Sequence, residues 1–388
     1  MTKKYRSHGE TLSKSRRTAK TWSKESSERQ QYAKKKHWDN EEDAVPRHAV
    51  PMNPRLRNIQ HKVSLPTDNT FEGWVIDATG RSFIVERIKT VQEEHDAEYE
   101  HAHPCYDCVV SRSVVTENPA STLVAVGDYV LCRAEPISGN LALPPAVIVK
   151  VEKRRTKLAR ESAGRDGIEQ VIVSNIDQVV VLMSAAEPLY NRRLIDRYLI
   201  AAELGDVTPL LCINKIDLLD EAFVREDISL YEKVLGITTF VMSVRQRRGI
   251  EELNTALIGK KTVFSGPSGV GKSTLVNVLV GEDVQTVAAV SAKTHKGLHT
   301  TTFSKVFRLP NNSYIIDTPG IREFGIWGIS KEELSYYFHD FDDFRLQCRF
   351  APCTHTHEPG CAVKSALEQG LIDYERYESY LNIFESLS

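Results

Sequence analysis

Long apolar runs are missing from this chain of 388 residues: no stretch approaches the ~20 consecutive apolar residues that span a bilayer. A helical membrane protein is therefore not expected. The first residues, MTKKYRSHGE, hold no apolar segment, so no secretory signal is expected there. Cysteine is sparse, seven in all, odd in number and unevenly placed, which argues against a disulfide scaffold. A cytoplasmic chain is the expectation, and in such a chain clustered cysteines more often bind metal. An excess of charge is missing as well, since the formal net charge is only −2. What is present is ordinary for a globular protein. With 41% hydrophobic and 26% charged residues, the chain can build sizeable cores in two or three domains.

The near-neutral balance conceals a basic beginning. Residues 1–36 hold twelve Lys or Arg against only Glu10, Glu25 and Glu28, and almost no aliphatic side chains. Such a segment cannot bury enough apolar surface to order itself. We therefore expect residues 1–65 to form a flexible arm. It suits a polyanion such as RNA, or serves only as a solubilising tail.

Beyond it, FEGWVIDATGRSFIVERI reads as two strands around a turn at Thr79-Gly80. CVVSRSVV, VGDYVLCRAE and AVIVKVEKR read as three more. Five short strands within residues 66–155 predict a small barrel, with the OB-fold as candidate. From about residue 170 the pattern alternates between strands and helices: IDQVVVLMSA, NRRLIDRYLIAAELG, TPLLCINKID, FVREDISLYEKVLG, TTFVMSV, IEELNTALIG, KKTVFSG and KSTLVNVLVG. This predicts a parallel α/β sheet over residues 156–335, with ligands at the carboxyl ends of its strands. A Cys/His cluster and a helical stretch fill residues 336–388.

Gly266-Pro267-Ser268-Gly269-Val270-Gly271-Lys272-Ser273 fits G-x-x-x-x-G-K-[ST] between an apolar strand and a helix that continues through Thr274. Glycines let backbone N–H groups wrap phosphates, and the helix start offers its positive end to them. Lys272 is placed for the β and γ phosphates and Ser273 for Mg²⁺. A chance glycine turn is the alternative, and the strand–loop–helix context disfavours it.

Asn214-Lys215-Ile216-Asp217 follows the strand TPLLCI. Asp217 can accept from the ring N–H and exocyclic amine of guanine, a donor pair that adenine lacks. Lys215 can lie over the base or brace the phosphate loop, and Ser243 suits a contact framing the base. A polar turn capping the next helix is the plainer reading of Asp217 alone. Asp317-Thr318-Pro319-Gly320 follows the strand SYII. Asp317 suits a hold on Mg²⁺ and the Gly320 N–H the γ-phosphate, whose loss would release the following loop. In KTHKGLHTTTFSK, Thr301, with Thr300 as close alternative, is placed to close over Mg²⁺. The base-reading motif thus precedes the phosphate loop, the reverse of the usual order in small GTPases. Permutation leaves a binding edge intact, because termini of a domain lie close in space.

Cys348, Cys353, His355 and Cys361 lie within fourteen residues. Three thiols and an imidazole favour tetrahedral Zn²⁺ in a closed, structural site, with His357 as alternative to His355. Cys105-x₂-Cys108, with His101 and His103, has no second pair nearby and is not expected to bind metal. Cys132 and Cys212 lie in predicted strands and read as core.

The permuted order, GPSGVGKSTLVN, GLHTTT, IIDTPGIREFGIW and the Cys/His cluster with its trailing helix together resemble the RsgA (YjeQ) family, over roughly residues 70–388. The resemblance implies a multidomain chain with an N-terminal OB-fold β-barrel, a central circularly permuted P-loop GTPase domain and a C-terminal zinc-binding module. It implies GTP hydrolysis with Mg²⁺, one structural zinc, and a role in late maturation of the small (30S) ribosomal subunit, whose rRNA would be the partner and which would stimulate turnover. A monomer is expected. The family's histidine of the first switch maps onto His299, joining Lys272 and Thr301 as catalytic candidates. Ile321 stands where many GTPases place a water-orienting glutamine, so a polar group from elsewhere is needed. Some related permuted GTPases carry a K⁺-binding asparagine in the phosphate loop. Gly269 stands there, so K⁺ activation is not expected. A zinc-containing RNA-binding protein that uses GTP as a sensing ligand is the second reading.

Overall fold

The computed structural model describes residues 69–79, 82–88, 105–114, 120–137, 142–162, 168–281, 305–317 and 326–387. The basic arm, His101, His103, His299, Thr300, Thr301 and Gly320 lie outside the described residues.

β1 (Thr70–Thr79), β2 (Ser82–Arg87), β3 (Cys105–Val110), β4 (Tyr129–Ala134) and β5 (Pro145–Val151) close a barrel in the order β1-β2-β3-β5-β4. Neighbours are antiparallel except β3 and β5, which run parallel. This is an OB-like barrel. Period-two alternation decides what goes inside. Phe71, Val75, Val85, Val130 and Ile148 fill the interior, together with Cys108 and Cys132. The two thiol sulfurs sit 4.0 Å apart there, and the sequence pair Cys105/Cys108 is split: Cys108 lies inside the barrel, while Cys105 is half-buried on the outer side. Trp74, Ile76 and Ile84, one residue out of phase, face outward and join a second core shared with the sheet.

A hairpin that the strand pattern did not predict, β6 (Lys157–Glu161) and β7 (Glu169–Ser174), connects barrel to sheet. Its root is fastened by Asp128, which is fully buried. Both carboxylate oxygens of Asp128 accept from Arg154 at 2.8 Å, and Ser174 Oγ donates to it at 2.6 Å. Gly127 has φ +93°, and a Cβ there would lie 1.9 Å from the Ser174 carbonyl oxygen, so the close approach needs glycine.

The sheet contains β8 (Gln178–Ser184), β9 (Thr208–Asn214), β10 (Thr238–Val241), β11 (Lys261–Ser265), β12 (Lys305–Leu309) and β13 (Ser313–Asp317), ordered β10-β9-β8-β11-β13-β12. All pairs are parallel except β12 with β13. Central β8 is buried along its whole length. Val179, Val181 and Met183 face one core, and Val180 and Leu182 the other, as expected of a strand covered on both sides. The helices are α1 (Arg192–Leu204), α2 (Glu221–Asp227), α3 (Ser229–Lys233), α4 (Ile250–Leu257) and α5 (Lys272–Val280). The stretch read as one helix, FVREDISLYEKVLG, is two short ones meeting at buried Ile228.

The C-terminal part holds two 3₁₀ turns (Leu334–Tyr337 and His339–Phe341), then α6 (Asp342–Arg345), α7 (Ala362–Glu368) and α8 (Tyr374–Ser386). Its core is aromatic: Phe338, Phe341, Tyr377 and Tyr380, packed with Ile200 from α1. Among the described residues no helix is long and apolar enough to cross a membrane.

Candidate nucleotide site and metal centre

The candidate residues converge because the strands bearing them are parallel. β10, β9, β8, β11 and β13 all end at one edge, and their chain order is irrelevant there. Ser243 follows β10, Asn214 closes β9, Gly266 follows β11, and Asp317 closes β13.

The phosphate loop leaves β11 through three glycines with positive φ: Gly266 (+144°), Gly269 (+84°) and Gly271 (+97°). Side chains are excluded at two of them. A Cβ at Gly266 would meet the Leu182 carbonyl oxygen at 2.0 Å, and one at Gly271 would meet Asn214 Nδ2 at 2.6 Å. Lys272, first residue of α5, curls back so that its Nζ donates to the carbonyls of Gly266 and Pro267, both at 2.6 Å. Ser268, Gly269, Ser273 and Thr274 are exposed, whereas Val270 is buried and anchors the loop.

Asn214 acts as a tie between loops. Its Nδ2 donates to the Val270 carbonyl at 2.9 Å, and its Oδ1 accepts from the Val244 N–H at 3.0 Å. The phosphate loop and the loop after β10 are thereby fixed to the base-reading motif. Both amide atoms of buried Asn214 are engaged. Asp217 accepts from Ser243 Oγ at 2.5 Å, and that hydroxyl in turn accepts from the Gln246 N–H at 3.1 Å. Lys215 adopts a left-handed backbone (φ +60°), and its Nζ donates to the Glu187 carbonyl. Asp317 is exposed at the edge beside the start of the phosphate loop. His299, Thr301 and Gly320 lie outside the described residues, so their positions relative to Lys272 are not part of this geometry.

Sequence reasoning missed two contributors, the Glu187 carbonyl and the Val244 N–H. A backbone group that receives a side chain leaves no trace in residue type. The loop Ala185–Asn191 carrying Glu187 lies against the phosphate loop as well, with the Pro188 ring 3.5 Å from where a Cβ of Gly269 would stand.

In the C-terminal part, Cys348, Cys353, His355 and Cys361 bring their donor atoms within 4.8 Å of one another, a group that could hold a metal ion. His355 Nδ1 lies 3.5 Å from the Cys348 sulfur and 3.4 Å from that of Cys361, and the two sulfurs are 3.9 Å apart. Burial pushes the Cys353 thiol up to about 12 and lowers the imidazole of His355. His355 is therefore neutral, the form that ligates, while the Cys353 thiol needs a cation to ionise. His357 is exposed and bonded to Thr356, outside the cluster. Among the described residues this is the one such cluster, and the Cys105/Cys108 pair forms none. Aromatic hydroxyls brace it: Tyr377 donates to the His355 carbonyl at 2.7 Å and Tyr380 to that of Thr354 at 2.6 Å.

The chain matches the family model described as RsgA GTPase over residues 151–327. It is 45% identical over 324 residues to the small ribosomal subunit biogenesis GTPase RsgA of Chlorobaculum parvum, a match covering 82% of this chain and 99% of that protein. The protein of the same name from Dickeya dadantii is 39% identical, over 68% of this chain and 76% of its own. Among solved structures, YjeQ from Thermotoga maritima superposes with a TM-score of 0.58 at 29% identity, covering 82% of this chain and 98% of that one. YloQ, described as a circularly permuted GTPase, gives 0.55 at 27% identity, over 82% and 95%. A match spanning almost the whole of such relatives, on a nucleotide edge assembled in permuted order, makes this chain a member of the RsgA GTPase family, and GTP hydrolysis its reaction.

Proposed function

We propose that this GTPase acts in late maturation of the small ribosomal subunit, binding the subunit and its rRNA and hydrolysing GTP faster when bound there. The observation that carries the nucleotide half of this reading is the pair of hydrogen bonds that Asn214 makes to Val270 and Val244, which locks base-reading and phosphate-binding loops into one frame. The names of the relatives support the partner.

In this reading Asp217 selects guanine, oriented by Ser243, and Lys215 lies against the base. The backbone of Gly266, Pro267, Ser268, Gly269, Val270 and Gly271 wraps the phosphates, with Thr274 at the helix start. Ser273 and Thr301, with Asp317 nearby, are the side chains that would hold a Mg²⁺ brought in with GTP, which would there neutralise phosphate charge. Lys272 exchanges its two carbonyl partners for the β and γ phosphates and stabilises the charge that develops on the leaving oxygens. His299 orients the attacking water, the task for which Ile321 has no polar group, and the Gly320 N–H meets the γ-phosphate.

The metal of the C-terminal cluster is zinc, one per chain and structural. With Zn–S about 2.3 Å and Zn–N about 2.0 Å, a tetrahedron sets sulfurs about 3.8 Å apart and sulfur to nitrogen about 3.5 Å apart, which supports the assignment. Four protein ligands leave no open position for chemistry. Residues 1–65 form a basic arm toward rRNA, residues 66–155 the barrel, 156–335 the GTPase domain and 336–388 the zinc module, in a cytoplasmic monomer.

The test is phosphate release from GTP and from ATP, with and without purified small subunits. Stimulation confined to GTP and small subunits is expected. GTP turnover that no ribosomal particle changes would remove the assigned partner.

A further inference from the structure

Helix α1 runs about 20 Å along the GTPase sheet, and its outer side carries the C-terminal module. The joint is built from charged residues along the helix, with Ile200 between them in the aromatic core. Arg192 meets Asp373 at 3.0 Å and Glu375 at 3.1 Å, Asp196 meets Arg376 at 2.5 Å, and Glu203 meets His339 at 2.9 Å. The loop after Asp317 leads along the chain to this module and lies outside the described residues. The described contacts give another connection, from the opposite side of the site.

That connection is the short loop from Ala185 to Asn191, between β8 and α1. At one end Ser184 Oγ holds the carbonyl of Pro188 at 2.5 Å, Lys215 Nζ donates to Glu187, and Pro188 borders Gly269. At the other end Tyr190 donates to Asp227 at 2.5 Å, and Asn191 caps α1. Arg192 comes next. Its side chain, 11% exposed, reaches three carboxylates on two segments: Asp227 at the end of α2 (3.7 Å), and the capping Asp373 and first-turn Glu375 of α8. α2 itself begins just after Asp217. One guanidinium thus joins the loop that braces Lys215, the helix that follows Asp217, and the metal module.

We propose that Arg192 is a positioning residue through which the docked C-terminal module fixes the base-binding side of the nucleotide site, and so sets how long guanine nucleotide stays bound. The inference rests on the nucleotide reading above. With the module docked, Asp373 and Glu375 hold Arg192, Arg192 and Tyr190 hold Asp227, and the loop keeps the Glu187 carbonyl under Lys215. When the module is displaced, two of the three anchors of Arg192 go. The Glu187 carbonyl then loses its fixed place, and Lys215 loses the partner that orients it. A partner that pulls on the metal module would in this way hasten nucleotide release without touching the phosphate loop.

The test is stopped-flow dissociation of N-methylanthraniloyl-GDP from the full chain, read beside thermal unfolding. Arg192→Met keeps the length of the side chain and removes its charge, and is expected to raise the dissociation rate about three- to tenfold. Glu375→Gln, on an exposed partner, should act in the same direction more weakly, and Arg192→Lys should restore part of the parent rate. Arg154→Met, which breaks the remote ion pair with Asp128, serves as a control that lowers stability alone. In a Lys215→Met background, Arg192→Met should add little, because the route is already cut. A lowered unfolding temperature with an unchanged dissociation rate would overturn the proposal, as would full additivity with Lys215→Met. If the parent chain binds no GDP, the nucleotide reading itself falls. If it binds and Arg192→Met does not alter release, only this inference falls.

Discussion

At the carboxyl edge of the sheet, Ser268, Ser273, Thr274 and Asp317 face solvent, and Lys272 donates to two carbonyls of its own loop. Around α1, side chains of the same types are buried against one another. Asp196 is fully enclosed, and Arg376, 3% exposed, meets both it and Asp340 while lying 4.2 Å over the Phe338 ring. The first arrangement keeps polar groups solvated or held by contacts that a phosphate can replace. The second has paid the desolvation of its charges in advance and returns it as a fixed docking geometry. Polar residues in one chain thus divide into those kept ready for a ligand and those consumed in holding a module. Substitutions should separate the two: at the edge they cost chemistry, and at the joint they cost stability.

Stripping the metal with a chelator, or Cys361→Ser, should break the joint side most severely. The expected cost is well over about 3 kcal/mol, with α8 amides losing protection in hydrogen exchange. Arg376→Met leaves two buried carboxylates without their cation and should cost about 3–5 kcal/mol in urea unfolding. Lys272→Ala sharpens the contrast: GTP turnover should fall about 10²- to 10³-fold while unfolding free energy stays within about 1 kcal/mol of the parent.

A smaller effect comes from pH. Burial alone would lower the His339 imidazole, but Asp342 and Glu203 bond its charged form and raise it to about 9. Facing it are Glu203 from α1 and Asp342, which Arg345 also bridges at 2.9 Å. A raised folded value means that the stabilisation is complete below the unfolded value of about 6.5 and disappears as pH climbs through about 9, a loss on the order of 3 kcal/mol. Unfolding measured between pH 6.5 and 9.5 should show this slope, and His339→Gln should flatten it.

The two regions also differ in how far the sequence exposes them. The edge was readable because its chemistry is local: an apolar strand, three glycines and a Lys-Ser pair occupy consecutive positions, and N-K-x-D ends a strand. The five barrel strands and most of the parallel sheet follow from period-two and buried-strand patterns. The hairpin β6–β7 and strand β12 escaped because KLARE and KVFRL are short and half charged, and Leu158 is the fully buried residue of β6. The break at Ile228 escaped because helical spacing continues through it. The joint on α1 was not readable at all. Asp196 and Arg376 look like the solvated faces of two unrelated helices until the fold brings together residues 180 positions apart. Nor does residue type reveal the Glu187 carbonyl under Lys215.

The measurement that most directly tests the central claim, a guanine site assembled at this edge in permuted order, is nucleotide selectivity of Asp217→Asn. Xanthine carries a carbonyl where guanine carries its amine, so an asparagine amide pairs with it and the carboxylate does not. The account predicts that the variant loses GTP turnover by about 10²-fold or more and gains turnover of xanthosine triphosphate. GTP turnover left at the parent level, with xanthosine triphosphate still rejected, would contradict it.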